Sequence, residues 1–146
     1  MPALPAAVLA QAIDPAPDAV VVVDAAGVIR YWNKGAERIF GFQEDEMVGS
    51  TLDPIIPEGL RQRHHEGFRT AMARGSSRYA SDDLLGVPAR HADGRTVSIE
   101  FSVALLVADG GPVGYVAAIM RDVTARRARE QELRRSIEAL EGGPAQ

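Results

Sequence analysis

The sequence predicts an α+β fold built on a five-stranded antiparallel sheet. Two strand-like segments joined by a glycine turn come first, and three more, joined by Asp-Gly turns, come later. A stretch with helical spacing of its apolar residues separates the two groups. A hairpin and a three-stranded meander that flank a helical segment are typical of an α+β domain with an antiparallel sheet.

The 146 residues suit one domain of about 100–200 residues. We predict a flanking helix within residues 1–14, a domain over 15–124, and a linker helix with a tail over 125–146. The predicted elements, in chain order, are a helix over 4–13, strands over 19–24 and 28–32, a helix over 34–40, short helical turns over 43–56, a longer helix over 57–74, strands over 84–91, 96–105 and 112–123, and a helix over 124–140.

Local signals place the elements of the first half. Apolar residues at helical spacing predict the first helix, and Pro15 and Pro17 end it. Four consecutive valines favour the first strand, and Gly27 supplies the turn of the first hairpin. The side chain of Asn33 suits the N-cap of the next helix, and Gly41 suits its C-terminal end.

Turn residues and alternation place the elements of the second half. Pro57 suits the first turn of the longer helix, and Pro88 predicts that the third strand lies at an edge or contains a bulge. The fourth strand alternates strictly between apolar and polar residues, so one face is buried. The first and last strands are apolar on both faces, so the outer sheet face needs a cover. A terminal helix or a second copy of the chain could supply it.

Composition excludes several classes of protein. The chain contains no cysteine, which excludes disulfides, thiolate metal sites and thiol-based photochemistry. The net charge of −4 argues against nucleic acid as a partner. No apolar run is long enough to span a membrane, and no basic residue precedes the apolar N-terminal stretch as in a secretory signal. We therefore expect a cytoplasmic protein without a membrane partner. No phosphate loop or metal-ligand spacing indicates an enzyme.

Four sequence blocks resemble the PAS domain family. They are Asp-x-x-Gly-Val-Ile-Arg-Tyr-Trp-Asn with the following helix to Phe42, the acidic turn over 44–49, the Asp93-Gly94 hairpin, and Met-Arg-Asp-Val-Thr over 120–124. The blocks occur in the family's order. The resemblance implies a sheet that cups a cavity against the longer helix, with a flanking helix as the output. It implies a sensory module, a homodimer, and a small ligand or an output-domain partner; a ligand-free dimerisation module is the alternative.

The resemblance also singles out His64 and His65 as haem ligands. His64 lies where haem-binding PAS oxygen sensors place their proximal histidine, and neutral imidazole is a good ligand for haem iron. The sequence has Leu85 near the position where those sensors carry a distal Arg or Met. The alternative is that both histidines are surface residues in a polar run. The residues expected to line the cavity or bind the cofactor are His64, His65, Phe68, Leu85, Val97, Ile99, Phe101 and Ile119.

The strand-to-helix junction is the predicted signal relay. Asp122 and Thr124 suit the capping of the last helix, and the resemblance makes them, with Arg121, the coupling point between sheet and helix. Trp32 and Asn33 are expected to serve local packing and capping rather than to touch a ligand. Flavin is disfavoured, since no amide side chain lies on the last three strands.

Overall fold

The predicted fold is confirmed. A computed structural model of the chain describes residues 2–80, 82–107 and 111–142. Its helices are α1 (Ala6–Ile13), α2 (Lys34–Phe40), α3 (Glu44–Met47), α4 (Arg61–Arg74) and α5 (Thr124–Gly142). Its strands are β1 (Ala19–Asp24), β2 (Ile29–Trp32), β3 (Leu85–Arg90), β4 (Thr96–Val107) and β5 (Val113–Asp122), and single 3₁₀ turns occupy Asp53–Ile55 and Glu58–Leu60.

The sheet is antiparallel throughout, in the order β2-β1-β5-β4-β3. The first strand therefore pairs with the last, with Val21 opposite Ala118 and Val23 opposite Val116. On the other side of β5, Phe101 lies opposite Met120. Since residues that lie opposite each other share a face, these pairs define one continuous inner face across three strands.

The core lies between the inner face and the segment from α2 to the first 3₁₀ turn. Its fully buried side chains come from all five strands, from α2 and α3 and from the following turn. They include Trp32, Phe40, Met47, Val97 and Ile99. The indole Nε1 of Trp32 donates to the carbonyl of Phe42 at 2.9 Å, so this buried ring is also satisfied as a donor. Trp32 has the packing role that was predicted for it.

Asn33 is the one buried polar residue among the described residues, and all its side-chain groups are bonded. Its Oδ1 accepts from the backbone nitrogen of Ala36 at 2.9 Å, which confirms the predicted N-cap of α2. The same oxygen accepts from the backbone nitrogen of Val20 at 2.8 Å. Its Nδ2 donates to the carbonyls of Ile13 and Asp18. Asn33 thereby joins the linker after α1 to β1 and α2.

The core is incomplete beneath α4. No residue of α4 is buried, because its polar sequence offers only Phe68, Ala71 and Met72 as half-buried apolar side chains. On the facing part of the sheet, five inner-face residues are likewise only half-buried: Phe101, Val103, Leu105, Val116 and Ala118. An apolar surface therefore remains accessible between α4 and the sheet.

The outer face of the sheet corrects one sequence prediction. Ile119 was expected to line the cavity, but it is 50% exposed and lies opposite Val20 and Ser102 on the outer face. Its neighbour Met120, 5% exposed, points into the core. The alternation along β5 leaves both faces apolar, so the strand's orientation follows from its pairing with β1. No residue of α1 is buried.

Candidate functional site

A cleft of about 280 Å³ lies where α4 faces the turn between β1 and β2. This volume is close to the lower end of the roughly 300–1,000 Å³ found for small-molecule sites. Three segments line the cleft: the β1–β2 hairpin, the stretch before the first 3₁₀ turn, and one face of α4. The lining residues are Val23, Ala26, Gly27, Thr51, Leu52, Asp53, His64, His65, Phe68 and Arg69.

His64 lies at the cleft with its ring beside that of Phe68. The two ring centroids are 6.4 Å apart with an interplanar angle of 25°, because the residues lie one helical turn apart on α4. The surrounding protein lowers the pKa of His64 by displacing water, and the neighbouring His65 adds to the effect, while Asp53 opposes it. His64 is an exposed residue, so the protein removes only part of the water around its ring. The neutral imidazole, the form that binds metals, is thereby favoured.

His65 points to the loop rather than along the cleft. Its Nε2 lies 2.7 Å from the Oδ1 of Asp53. Asp53 begins the 3₁₀ turn Asp53–Ile55, so this contact joins α4 to the opposite wall of the cleft. A pair this exposed contributes little to stability, about 0–1 kcal/mol.

The predicted lining residues fall into three groups. His64, His65 and Phe68 come together in the cleft. Leu85 and Phe101 lie opposite each other on the half-buried part of the inner face, outside the cleft itself. Val97 and Ile99 are buried in the core and are not among the residues that line this cleft.

Sequence reasoning missed the walls that come from distant segments. Val23 belongs to the inner face of β1, and Leu52 and Asp53 precede the first 3₁₀ turn. No local pattern marks either segment as facing α4, since their proximity depends on the complete fold. Arg69 could have been predicted from the sequence, because it follows His65 by four residues and so lies on the same face of the helix.

The junction between β5 and α5 is a compact hydrogen-bonded group. The Oδ1 of Asp122 accepts from the backbone nitrogen of Thr124 at 2.9 Å and from its hydroxyl at 2.6 Å, so Asp122 caps α5 as predicted. Thr124 does not cap the helix. Its Oγ1 accepts from the backbone nitrogen of Ser98 on β4 at 2.9 Å, because the helix already begins at Thr124 and turns this side chain towards the sheet.

Three ion pairs, formed by Arg121 and Arg126, extend this junction. Arg121 donates to both carboxylate oxygens of Asp18, at 3.2 and 3.3 Å, which raises the pKa of the arginine. Arg126 of α5 pairs with Glu100 of β4 and with Glu130 one turn later. The end of β5 is thus joined to the residue before β1, and the start of α5 is joined to β4.

The chain belongs to the PAS fold family, which it matches over residues 13–128. It is a PAS-type sensory domain. It is 30% identical over 131 residues to the sensor protein FixL of Bradyrhizobium diazoefficiens, and the match covers 83% of this chain and 24% of FixL. It is 25% identical to the oxygen sensor protein DosP of Escherichia coli over 83% of this chain and 15% of DosP.

Solved structures agree with this assignment. The PAS domain of a protein from Colwellia psychrerythraea superposes with a TM-score of 0.69 at 24% identity, covering 82% of this chain and 97% of that domain. The matched region is only part of each sequence relative, since this chain spans 24% of the length of FixL and 15% of the length of DosP. Within the ranges that the structure describes, we find no helix with the length and apolar character needed to traverse a bilayer.

Proposed function

We propose that this chain is a cytoplasmic sensory module that binds a small ligand in the cleft and relays its presence through α5. The proposal rests on the incomplete core beneath α4, where apolar side chains of the sheet are only half-buried. The floor of the cleft at Val23 continues across the sheet to Val116 and Leu105, which are half-buried and apolar. A ligand that fills the cleft would bury this surface, which provides a favourable free energy for binding.

The strand β5 connects the cleft to α5, the proposed output helix. Val116 lies opposite Val23 near one end of β5, and Arg121 and Asp122 lie at the other end, against α5. A ligand that shifts β5 would therefore act on the hydrogen bonds that hold Thr124 to Ser98. The relay requires two states of this junction with different affinities for the ligand.

Thermal unfolding of the chain against a library of small metabolites tests the proposal. A binding compound should raise Tm and slow amide exchange over residues 116–124. Thr51→Trp, which places a large side chain at the cleft, should abolish the effect, whereas Thr70→Trp on α4 outside the lining should preserve it. Compounds that act equally on both variants, or a library without any binding compound, would contradict the proposal.

Haem is the second candidate, favoured by the position and neutral form of His64. The donor type and the apolar floor fit haem. The cleft of about 280 Å³ is small for a macrocycle, so haem would also have to use the surface at Val116 and Leu105. His64 would hold the iron, and Phe68 would pack beside the ring. Bound haem would supply a site for a diatomic gas. The similarity to the oxygen sensor protein DosP supports this candidate.

Visible absorption after addition of haemin tests the haem candidate. Wild type and His65→Ala should develop a Soret band of a histidine-ligated haem, and His64→Ala should not. The matched pair separates ligation from general effects on α4, because the two histidines are adjacent. A colourless wild type after gel filtration, or equal bands in both variants, would eliminate His64 as an iron ligand.

We also propose that the chain forms a homodimer through the outer face of the sheet. Val20, Val22 and Ala117 are only half-buried there, and Ile119 is largely exposed. Ile119→Glu should convert the dimer into a monomer in light scattering, whereas Leu84→Glu, at an exposed site before β3, should not. A monomeric wild type at high concentration would contradict the dimer.

A further inference from the structure

The rim of the cleft carries one arginine without an ion pair among the described residues. Arg69 lines the cleft one helical turn after His65. No salt bridge of the described chain involves its guanidinium, although eight such contacts are present elsewhere. A guanidinium is always charged and presents donors that match a planar carboxylate.

The one carboxylate of the cleft lining is already engaged, which leaves the Arg69 guanidinium for an anion. Asp53 is the only acidic residue that lines the cleft, and its Oδ1 is engaged by His65 at 2.7 Å. The basic members of the lining are Arg69 and the two histidines. With the histidines neutral, Arg69 and Asp53 balance each other, whereas the chain as a whole has a net charge of −4, so the cleft lacks the acidic excess of the molecule. Thr51 adds a hydroxyl donor to the same rim.

The deeper part of the cleft suits an apolar, flat group. Val23 and Leu52 provide aliphatic walls, and the Phe68 and His64 rings lie within 25° of parallel. A flat aromatic body can pack against such a pair of rings in an offset arrangement. Thr51, His65 and Arg69 are exposed, whereas Val23 is buried and Leu52 and Phe68 are half-buried, so the cleft has an apolar interior and polar groups at its rim.

We propose that the cleft takes a small amphipathic carboxylate, with a flat apolar body against Phe68 and Leu52 and its carboxylate at Arg69. This inference rests on the proposed function, since it concerns the ligand of the same cleft. It assigns to Arg69 the role of specificity-determining residue. His65 engages Asp53, the one carboxylate among the lining residues.

Binding of 2-naphthoate and its neutral analogue 2-naphthylmethanol, measured by intrinsic fluorescence of the ligands, tests the inference. Wild type should prefer the carboxylate by about tenfold, as expected for a charge-assisted bidentate contact at a partly exposed site. Arg69→Gln should remove this preference and leave the affinity for the alcohol within about twofold, since an uncharged ligand makes no such contact. Arg63→Gln, an exposed arginine of the same helix outside the lining, is the matched control and should change neither affinity.

Three outcomes decide between this inference and the broader proposal. Equal binding of both ligands to wild type overturns the carboxylate preference but retains a ligand-binding cleft, provided that Thr51→Trp abolishes binding. A preference that survives Arg69→Gln overturns the role of Arg69. Binding of neither ligand overturns the inference, and together with a metabolite library that yields no binding compound it overturns the sensory cleft as well.

Discussion

The side-chain oxygen of Thr124, in the first turn of α5, lies 2.9 Å from the backbone nitrogen of Ser98 on β4. The backbone nitrogen of Val123 donates to the carbonyl of the same serine at 2.8 Å. Both main-chain polar groups of Ser98 are therefore used by the segment that leaves the sheet. These two bonds help to hold the start of α5 against β4, which makes them a sensitive point for the proposed relay.

Thr124→Val should weaken the attachment of α5 to β4, because valine keeps the shape of threonine but removes the acceptor for Ser98. We expect a loss of about 0.5–1.5 kcal/mol in the free energy of unfolding. Amide exchange at Ser98 and in the first turn of α5 should become faster. Thr124→Ser keeps the hydroxyl and should behave as wild type. Equal exchange in the valine and serine variants would show that this bond does not hold the helix.

Asn33→Ala should destabilise the whole domain. The substitution leaves the backbone nitrogens of Val20 and Ala36 and the carbonyls of Ile13 and Asp18 without their partner. Because this site is fully buried, we expect a loss of about 2–4 kcal/mol in urea denaturation. Gln131→Ala, on the exposed surface of α5, is the control. A loss below about 1 kcal/mol would mean that water replaces the amide.

Gly35→Ala should destabilise the domain although alanine favours helices. A Cβ on Gly35 would collide with the carbonyl oxygen of Asp18 and lie 2.6 Å from that of Ala16. Both are backbone atoms, so we expect a cost of about 1–3 kcal/mol from overpacking. Gly67→Ala in α4 is the matched control, since nothing lies within 4 Å of its Cβ position, and should stabilise by about 0.5–1 kcal/mol. Similar unfolding midpoints for the two variants would contradict the close approach.

Asp24 should contribute stability that is lost in acid. Hydrogen bonds from the backbone nitrogen of Val28 and the side chain of Arg30 lower the pKa of Asp24, with a further contribution from Ala26. A carboxylate with a depressed folded pKa stabilises the fold above its unfolded pKa, and this contribution disappears as the pH falls through the folded pKa.

The difference in Tm between wild type and Asp24→Asn should therefore shrink when the pH is lowered from 7 towards about 3, below the unfolded pKa near 3.9. Asp82→Asn, at an exposed position before β3, provides the control. A difference that stays constant with pH would show that the pKa of Asp24 is the same in the folded and the unfolded chain.

Local signals in the sequence account for most of the elements. Asn33 caps α2, and Gly41 ends it with a φ of 78°, a left-handed conformation that suits glycine. The Asp93-Gly94 turn also depends on a glycine in a left-handed conformation, with a φ of 93° at Gly94. The helix α4 begins at Arg61, later than the predicted residue 57, because a separate 3₁₀ turn, Glu58–Leu60, precedes it.

The site was predictable only in part, and α4 shows why. His64 was identified from the resemblance to haem-binding PAS sensors, and Phe68 lies one helical turn after it on the same face of α4. The opposite wall is formed by Val23 and Leu52, which lie in segments remote from α4 in sequence. No residue pattern within these segments predicts that they face α4.

Local sequence patterns specify which segments form strands and helices, and four sequence blocks carry the resemblance to PAS domains. Only the tertiary structure decided that β5 pairs with β1, which turns Met120 inward and Ile119 outward. The physical reason lies in the strand itself. Both faces of β5 are apolar, so the alternation of its residues does not predict which face is buried. The register of β5 with β1 sets which face points into the core.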